Sequence, residues 1–405
     1  MSRSVETTIR QEGGQVLATL IRLTGDFTLA EDALQEATIV ALEQWNRDGV
    51  PDKPAAWLTS VSRNKALDHI RREAKRTDKE VAATRLLASS DEGPEPTDPL
   101  RLIFTCCHPT LSEDAQVALT LRTVSQLTTR EIARALLQPD ATVGQRISRA
   151  KTKIKTAHIP YRVPSDAELP NRLPVVLHVL YLMFTAGYSA YEGPAMYRVE
   201  LADEAIRITR MLADLMPDEP EVRGLLALML ATWARRTTRV DEHGDIVLLA
   251  DQNRAGWDQT IIGEARTVLG KPTSAEDSWY RLQAAIALEH AEAVSFAATD
   301  WVRITRIYEA LEIVNPSPVV RVNRAVAVAH ARGWSQGLAL LDEVNDQPEI
   351  QSWHLYWSTR AEMLSRLDRS AEALECVDRA LACPMNDGDR RLLEGRRSAL
   401  VALQR

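Results

Sequence analysis

From Asp32 to Trp45 (DALQEATIVALEQW), reading the chain at about 100° per residue places Leu34, Ala37, Ala41, Leu42 and Trp45 on one side, a core stripe. The opposite side gathers Asp32, Gln35, Glu36 and Glu43 around Ile39. An apolar residue ringed by acids suits a basic, partly apolar partner helix; the plainer alternative is a solvated acidic face with one stray apolar residue. A Pro/Gly-containing loop, RDGVPDKP (Arg47 to Pro54), leads into a second helical segment, PAAWLTSVSRNKALDHIRRE (Pro54 to Glu73). It runs from apolar (Trp57, Leu58, Val61) into basic (Arg63, Lys65, Arg71, Arg72, then Lys75 and Arg76). Periodicity fails from Glu80 to Pro99, which ends in a Pro/Gly/Asp cluster and reads as a linker. It returns in LTTREIARALLQPDATVGQRISRAKTKI (Leu127 to Ile154): a helix over Thr129 to Leu136, a short turn, and a second helix from about Pro139. This is helix-turn-helix spacing. On the second helix Val143, Ile147, Ala150 and Ile154 share one face, while Thr142, Gln145, Arg146, Arg149 and Lys153 share the other. Three cations with a Gln and a Thr supply what base-edge and phosphate contacts need.

Beyond His158 the helical pattern repeats. Setting Ala205, Ile304, Leu338 and Ala373 in register gives spacings of 99, 34 and 35 residues. The last two are a tetratricopeptide period and the first is about three of them. Trp301 and Trp334 fall in equivalent places between paired helices. These features predict an α-solenoid of helix pairs from about Leu169 to Arg405, and an all-α chain overall. One stretch, Thr237 to Ile262, interrupts the pattern with a DEHGD turn followed by IVLL, which suggests a small hairpin or ordered loop. Asp251, Arg254, Trp257 and Asp258 within it either line a pocket or staple two helix pairs. Phe184, Tyr188, Tyr191 and Tyr197 frame a groove or, more simply, pack between helices.

Charge changes the picture only when divided. The net charge of −7 is unpromising for a nucleic-acid partner, yet residues 100–158 hold nine Lys/Arg against four Asp/Glu, a surplus of five. Residues 159–405 hold about eight net negative charges. A local positive surplus is the relevant electrostatic footprint, and an acidic tail beside it suggests docking between the two. The four cysteines make no disulfide framework, which points to a reducing cytoplasm. The Cys106-Cys107-His108 run is poorly spaced for zinc, because adjacent cysteines do not readily chelate one ion, and buried thiols are the expectation. The residues suggest no metal, no cofactor, no signal peptide and no apolar run near the roughly 18 residues that span a bilayer. Phosphate-loop, HExxH and GxSxG patterns do not occur, so a non-enzyme is expected.

The Asp32–Glu73 stretch, with its AWL and RNKALDHIRR wording, resembles the promoter-melting region 2 of bacterial RNA polymerase sigma factors of the extracytoplasmic-function group. Leu127–Ile154 is similar to region 4 of the same family, which reads the −35 element. The two resemblances occur in the family's order, and the helical tail resembles that of a subgroup carrying a tetratricopeptide-like extension. The resemblance implies region 2 over 1–78, a linker over 79–99, region 4 over 100–158 and a regulatory helical-repeat domain over 159–405. It implies core polymerase binding through Asp32, Gln35, Glu36, Ile39 and Glu43. It implies −10 DNA contacts through Arg47, Lys53, Ser60, Arg63, Asn64, Arg71 and Arg72, with Asn64 at a position that helps hold a flipped base. Thr142, Gln145, Arg146, Arg149 and Lys153 are then the −35 readers. Core RNA polymerase and promoter DNA are the implied partners, with a protein or small-molecule regulator for the tail and no membrane. Two departures stand out: Leu137 occupies a turn position where many such motifs carry Gly, and TAGYSA (Thr185 to Ala190) replaces the subgroup's frequent NEGYSA. A helix-turn-helix regulator with a tetratricopeptide sensor would account for residues 100–405, but leaves the Asp32–Glu73 pattern without a purpose.

Overall fold

The computed structural model describes residues 2–73, 95, 97–136, 138–188, 199–242, 245–270, 278–385 and 387–403. Among them the fold is all-α, with one isolated antiparallel bridge, Val240 to Ile246. The chain divides into two compact units, residues 1–187 with 199–212, and residues 188–198 with 213–405. The division falls later than the expected start of the tail at 159. The first tail helix and most of the second therefore belong with the two N-terminal modules.

In the first unit, α1 (Ser2–Thr24), α2 (Phe27–Asp48) and α3 (Pro54–Glu73) pack on one another. The boundaries follow local chemistry. Asp26 caps α2 by accepting from the backbone N–H of Thr28 and Leu29, and Gly49, at φ +90°, ends it with its N–H on the Trp45 carbonyl. The predicted stripe is the core: Leu34, Ala37, Ala41 and Trp45 are buried. Trp45 meets Trp57 of α3 edge-on, ring centroids 5.2 Å apart. The linker expected over 79–99 lies largely outside the described residues, and helix α4 (Asp98–Cys106) starts two residues inside that span. Leu137 is also outside them, as are Lys75, Arg76, Tyr191 and Tyr197.

The second module is α4, α5 (Glu113–Thr123), α6 (Thr129–Ala135) and α7 (Asp140–Thr156). A reciprocal capping box opens α6. The Thr128 backbone N–H donates to Glu131 Oε2 at 2.7 Å, and the Glu131 N–H donates to Thr128 Oγ1 at 3.2 Å. Pro139 precedes α7, and Val143, Ile147, Ala150 and Ile154 of that helix are buried as the pattern predicts. Cys106 and Cys107 lie in the core, with Thr123 Oγ1 3.4 Å from one sulfur and Thr120 Oγ1 3.5 Å from the other. Burial pushes the Cys107 thiol up to about 12, so both behave as small protonated core residues.

Helix α8 (Leu169–Tyr188) is long and apolar enough by composition to cross a membrane, which the expectation of no span-length stretch overlooked. Half of that window is buried within the fold. Its Arg172 is buried too, and donates to the Phe104 carbonyl at 3.0 Å. α8 thus packs as a core helix. In the TAGYSA motif Gly187 is required by packing: a Cβ there would lie 2.5 Å from the backbone nitrogen of Ala202 in α9 (Val199–Leu215).

The second unit continues with α10 (Pro220–Trp233), α11 (Gln259–Leu269), α12 (Trp279–Glu292), α13 (Trp301–Val314), α14 (Pro318–Arg332) and α15 (Trp334–Asp342). It closes with α16 (Pro348–Gln351), α17 (His354–Ser365), α18 (Ser370–Ala382) and α19 (Asp387–Leu403). Helices there pack mainly on near neighbours in sequence, as in a solenoid. The four positions set in register by the repeat, Ala205, Ile304, Leu338 and Ala373, are all buried. Trp301 and Trp334 each open a helix and meet on His330, one stacked at 4.2 Å and the other edge-on at 4.9 Å. The 237–262 interruption is a polar staple. Asp258 caps α11, and Arg254 Nη1 donates to the carbonyls of His290 and Ala293 at 2.6 and 2.7 Å, closing the C-terminus of α12. Trp257 is buried, with its Nε1 on Thr238 Oγ1 at 2.8 Å.

Candidate nucleic-acid interface

Because its core stripe is spent against α5 and α6, α7 turns Thr142, Gln145, Arg149 and Lys153 outward, all exposed. These four, with Arg146 and Ala150, wall a cleft of about 350 Å³ whose other side is Leu111, Ser112 and Ala115 at the start of α5. Of these five candidate contacts, Thr142, Gln145 and Arg149 face the cleft without a partner among the described residues, and Arg146 and Lys153 are engaged. Arg146 is half-buried, pairs with Asp114 at 3.0 Å and donates to Gln138 Oε1 at 2.5 Å. Lys153 Nζ reaches the Thr110 carbonyl. Asp114 and Gln138 escaped sequence reasoning. The acidic pair Glu113–Asp114 after Ser112 is legible as a helix start, but its pairing across 32 residues to Arg146 needs the turn geometry.

On the first module the basic stretch spreads over a loop and one helix. Lys53, Ser60, Asn64, Arg71 and Arg72 are exposed and Arg63 is half-buried. Arg47 is exposed but held by its neighbour Asp48 in a two-point pair, both contacts 2.8 Å. Arg71 lies 3.7 Å from Asp68, a loose pair on the same helix.

The acidic face of α2 divides in two. Ile39 is 53% exposed, unusual for an isoleucine on a packed helix, and Asp32, Gln35 and Glu43 are exposed beside it. Glu36 instead turns toward α3, accepting from His69 Nε2 at 2.6 Å and pairing with Lys65 at 3.4 Å. The His69 hydrogen bond, aided by Lys65, holds the Glu36 carboxyl below its usual value. Glu36 thus braces α2 on α3, so the freely offered face is Asp32, Gln35, Ile39 and Glu43.

Residues 8–76 match the model of Sigma-70 region 2, and residues 101–154 match that of Sigma-70, region 4. The chain belongs to the extracytoplasmic-function sigma factors of the sigma-70 family. The region 2 match covers α2 and α3 with their exposed faces, and the region 4 match ends at the last buried residue of α7. Residues 172–272 match a family of unknown function (DUF6596). Over 382 residues, 92% of this chain and 90% of the relative, the sigma factor is 40% identical to an uncharacterized protein of Rhizobium meliloti (strain 1021). The likeness therefore runs through regions 2 and 4 and the helical tail together. No solved structure matches the chain. Regions 2 and 4 give the protein a role in promoter-directed transcription, with core RNA polymerase and promoter DNA as partners.

Proposed function

We propose that this alternative sigma factor docks on core polymerase through Ile39 and its acidic ring, captures the unpaired −10 strand with the 47–54 loop and α3, and reads the −35 element with α7. The observation that carries the reading is the pairing of an exposed, acid-ringed Ile39 on α2 with an exposed cationic cleft on α7, each inside its own sigma-region match. Chemistry supports each assignment. Ile39 offers apolar area to desolvate, while the acids favour a basic partner and suppress others. Asn64 is exposed one turn from Ser60, where a side-chain amide can meet an extruded base, which costs a few kcal/mol to flip out. Arg149 and Gln145 are exposed and of the side-chain types that make bidentate base-edge contacts.

The C-terminal helices regulate this activity in the proposed scheme, answering to a protein or small-molecule partner. The first tail helix packs with the sigma modules, its Arg172 donating to the Phe104 carbonyl of region 4, and the acid-on-base attraction of the remaining tail stays part of the proposal. A helix-turn-helix activator with a sensor tail would need no polymerase-docking helix, and the region 2 match over 8–76 speaks against it. Run-off transcription with core polymerase distinguishes them. A sigma factor confers promoter-specific initiation on core enzyme lacking any other sigma factor, and an activator confers none.

A further inference from the structure

The tail carries a cluster of cations that neither promoter reading nor polymerase docking uses. Its frame is the polar staple. The Asp258 N–H donates to the Ala234 carbonyl at 3.0 Å, and Thr237 Oγ1 donates to the Gly256 carbonyl at 3.0 Å. With the Trp257 Nε1 bond to Thr238, these tie the chain just after α10 to the turn just before α11. Arg235 and Arg254 then share the buried Trp257 ring, their guanidinium carbons 5.7 and 4.5 Å from its centroid. Both arginines are half-buried. Arg254 commits Nη1 to the carbonyls at the end of α12, while its Nη2 is buried and donates to nothing among the described residues. The Nε of Arg235 is buried and unpartnered in the same way, and so is Nδ1 of His290, the residue whose carbonyl Arg254 grips.

The acids close by along the chain are committed elsewhere. Asp258 caps α11 through the N–H groups of Thr260 and Ile261. On α12, Glu292 pairs with Arg266 at 2.5 Å and Glu289 with Arg303 at 2.9 Å. Asp251, three residues before Arg254, is exposed and pairs with neither arginine. The electrostatics carry one sign. Burial and then Arg235 lower the Arg254 guanidinium, and the charges that act on His290 are Arg235, Arg254 and His330, all of which disfavour its proton. Half-buried charge of one sign is costly without a counter-charge. The Trp257 ring and the helix-end carbonyls offset part of that cost and leave the open donors as they are.

We infer that Arg235, Arg254 and His290 form an oxyanion site in the tail, which takes phosphate or the phosphoryl end of a larger ligand. Two permanent guanidinium charges match a dianion, whereas a monocarboxylate would leave one of them uncompensated. Planar N–H forks suit such oxygens, and a protonated His290 adds a third donor. Arg235 and Arg254 both lie within the 172–272 match to a family of unknown function. The inference deepens the proposed regulation by the tail and rests on that reading only for what the ligand controls; the site itself stands on the cluster.

Isothermal titration calorimetry on the full-length chain, with phosphate, sulfate, acetate and a nucleoside monophosphate at matched ionic strength, tests it. Phosphate and sulfate should bind at one site per chain, and acetate, with half the charge, about tenfold more weakly. A nucleotide that binds about tenfold or more tighter than phosphate assigns the phosphoryl end of a larger ligand, and equal or weaker binding assigns the free ion. Arg235→Gln leaves the Arg254 contacts to α12 in place and should weaken phosphate about tenfold or more, with partial recovery in Arg235→Lys. Sulfate stays a dianion from pH 4 to 7, so it should raise the titration midpoint of the His290 imidazole, read by NMR, by about one pH unit in the wild-type chain and not in Arg235→Gln. No binding above a chloride control, or binding and a His290 midpoint that Arg235→Gln leaves unchanged, overturns the site. A chain that binds phosphate in this way yet directs no promoter-specific transcript keeps the site and loses the sigma-factor reading instead.

Discussion

In the proposed reading, Asp114 limits the strength of −35 binding by competing with DNA for Arg146. The Arg146–Asp114 pair is 3.0 Å long, with the aspartate side chain 61% exposed, a class worth about 0.2–1 kcal/mol. The hydrogen bond to Gln138 adds about 0.5–1.5 kcal/mol. Arg146 must give up some of this to reach a base edge or phosphate, whereas no partner is seen for the exposed Arg149 among the described residues. A good bidentate base contact is worth about 1–3 kcal/mol, so Arg149→Ala should weaken promoter binding about 5- to 150-fold at 1.4 kcal/mol per decade. Arg146→Ala should cost less, and Asp114→Asn should tighten binding by up to about fivefold. Removing a negative charge near DNA would also tighten binding without any release of Arg146, and the double variant separates the two effects. The assay is holoenzyme affinity for promoter fragments over a salt series, with circular dichroism confirming that α5 stays folded. If Asp114→Asn gives the same gain with and without Arg146, or Arg149→Ala has no effect, the competition is wrong.

The docking face, the −10 pocket and the tail each supply a further expected outcome. Ile39→Arg should abolish co-purification with core polymerase while leaving helicity intact, whereas Glu36→Lys should also loosen α2 from α3 by placing a cation beside Lys65 and His69; wild-type co-purification by Ile39→Arg would reassign the face. Asn64→Ala should keep duplex binding and lower permanganate reactivity of the −10 thymines, and unchanged reactivity would remove Asn64 from base capture. Burial first, then Arg235, Arg254 and His330, push His290 down to about 4. The unfolded chain takes up that proton from about pH 6.5 downward and the folded chain only near pH 4, so its contribution is complete above pH 6.5 and fades as pH falls through that window, by up to about 3 kcal/mol. Thermal unfolding across this range should flatten in His290→Gln, and an equally steep decline would place the pH sensitivity elsewhere.

Periodicity was enough for the all-α class and the buried stripes of α2 and α7, since each depends on spacing along one helix. Ala205, Ile304, Leu338 and Ala373 are each buried, as the apolar phase of their own helices requires. Faces were legible for the same reason: Ile39 and Arg149 point outward as their helical phase requires. Partnerships between distant segments were not. That Glu36 turns to His69, that Arg146 is held by Asp114, and that Asp98 belongs to a buried joint all depend on how helices are stacked. Local pattern reads Asp98 as the polar end of a linker, because an isolated Asp beside Pro is ordinarily solvated. Only three-dimensional proximity to Thr19, Arg22 and Tyr161 makes it a core residue. The Thr237–Ile262 stretch shows the intermediate case: its turn was visible, while the choice between pocket and staple rested on carbonyls of α12 that Arg254 reaches across 36 residues or more.

The central claim, promoter-directed initiation through regions 2 and 4, meets its most direct test in run-off transcription with purified core polymerase and the full-length chain on fragments selected from its own genome. A discrete transcript from a subset of fragments, dependent on the chain and lost with Ile39→Arg, is the outcome expected. A chain that binds duplex DNA without core polymerase, and adds no promoter-specific transcript when core is supplied, would contradict it.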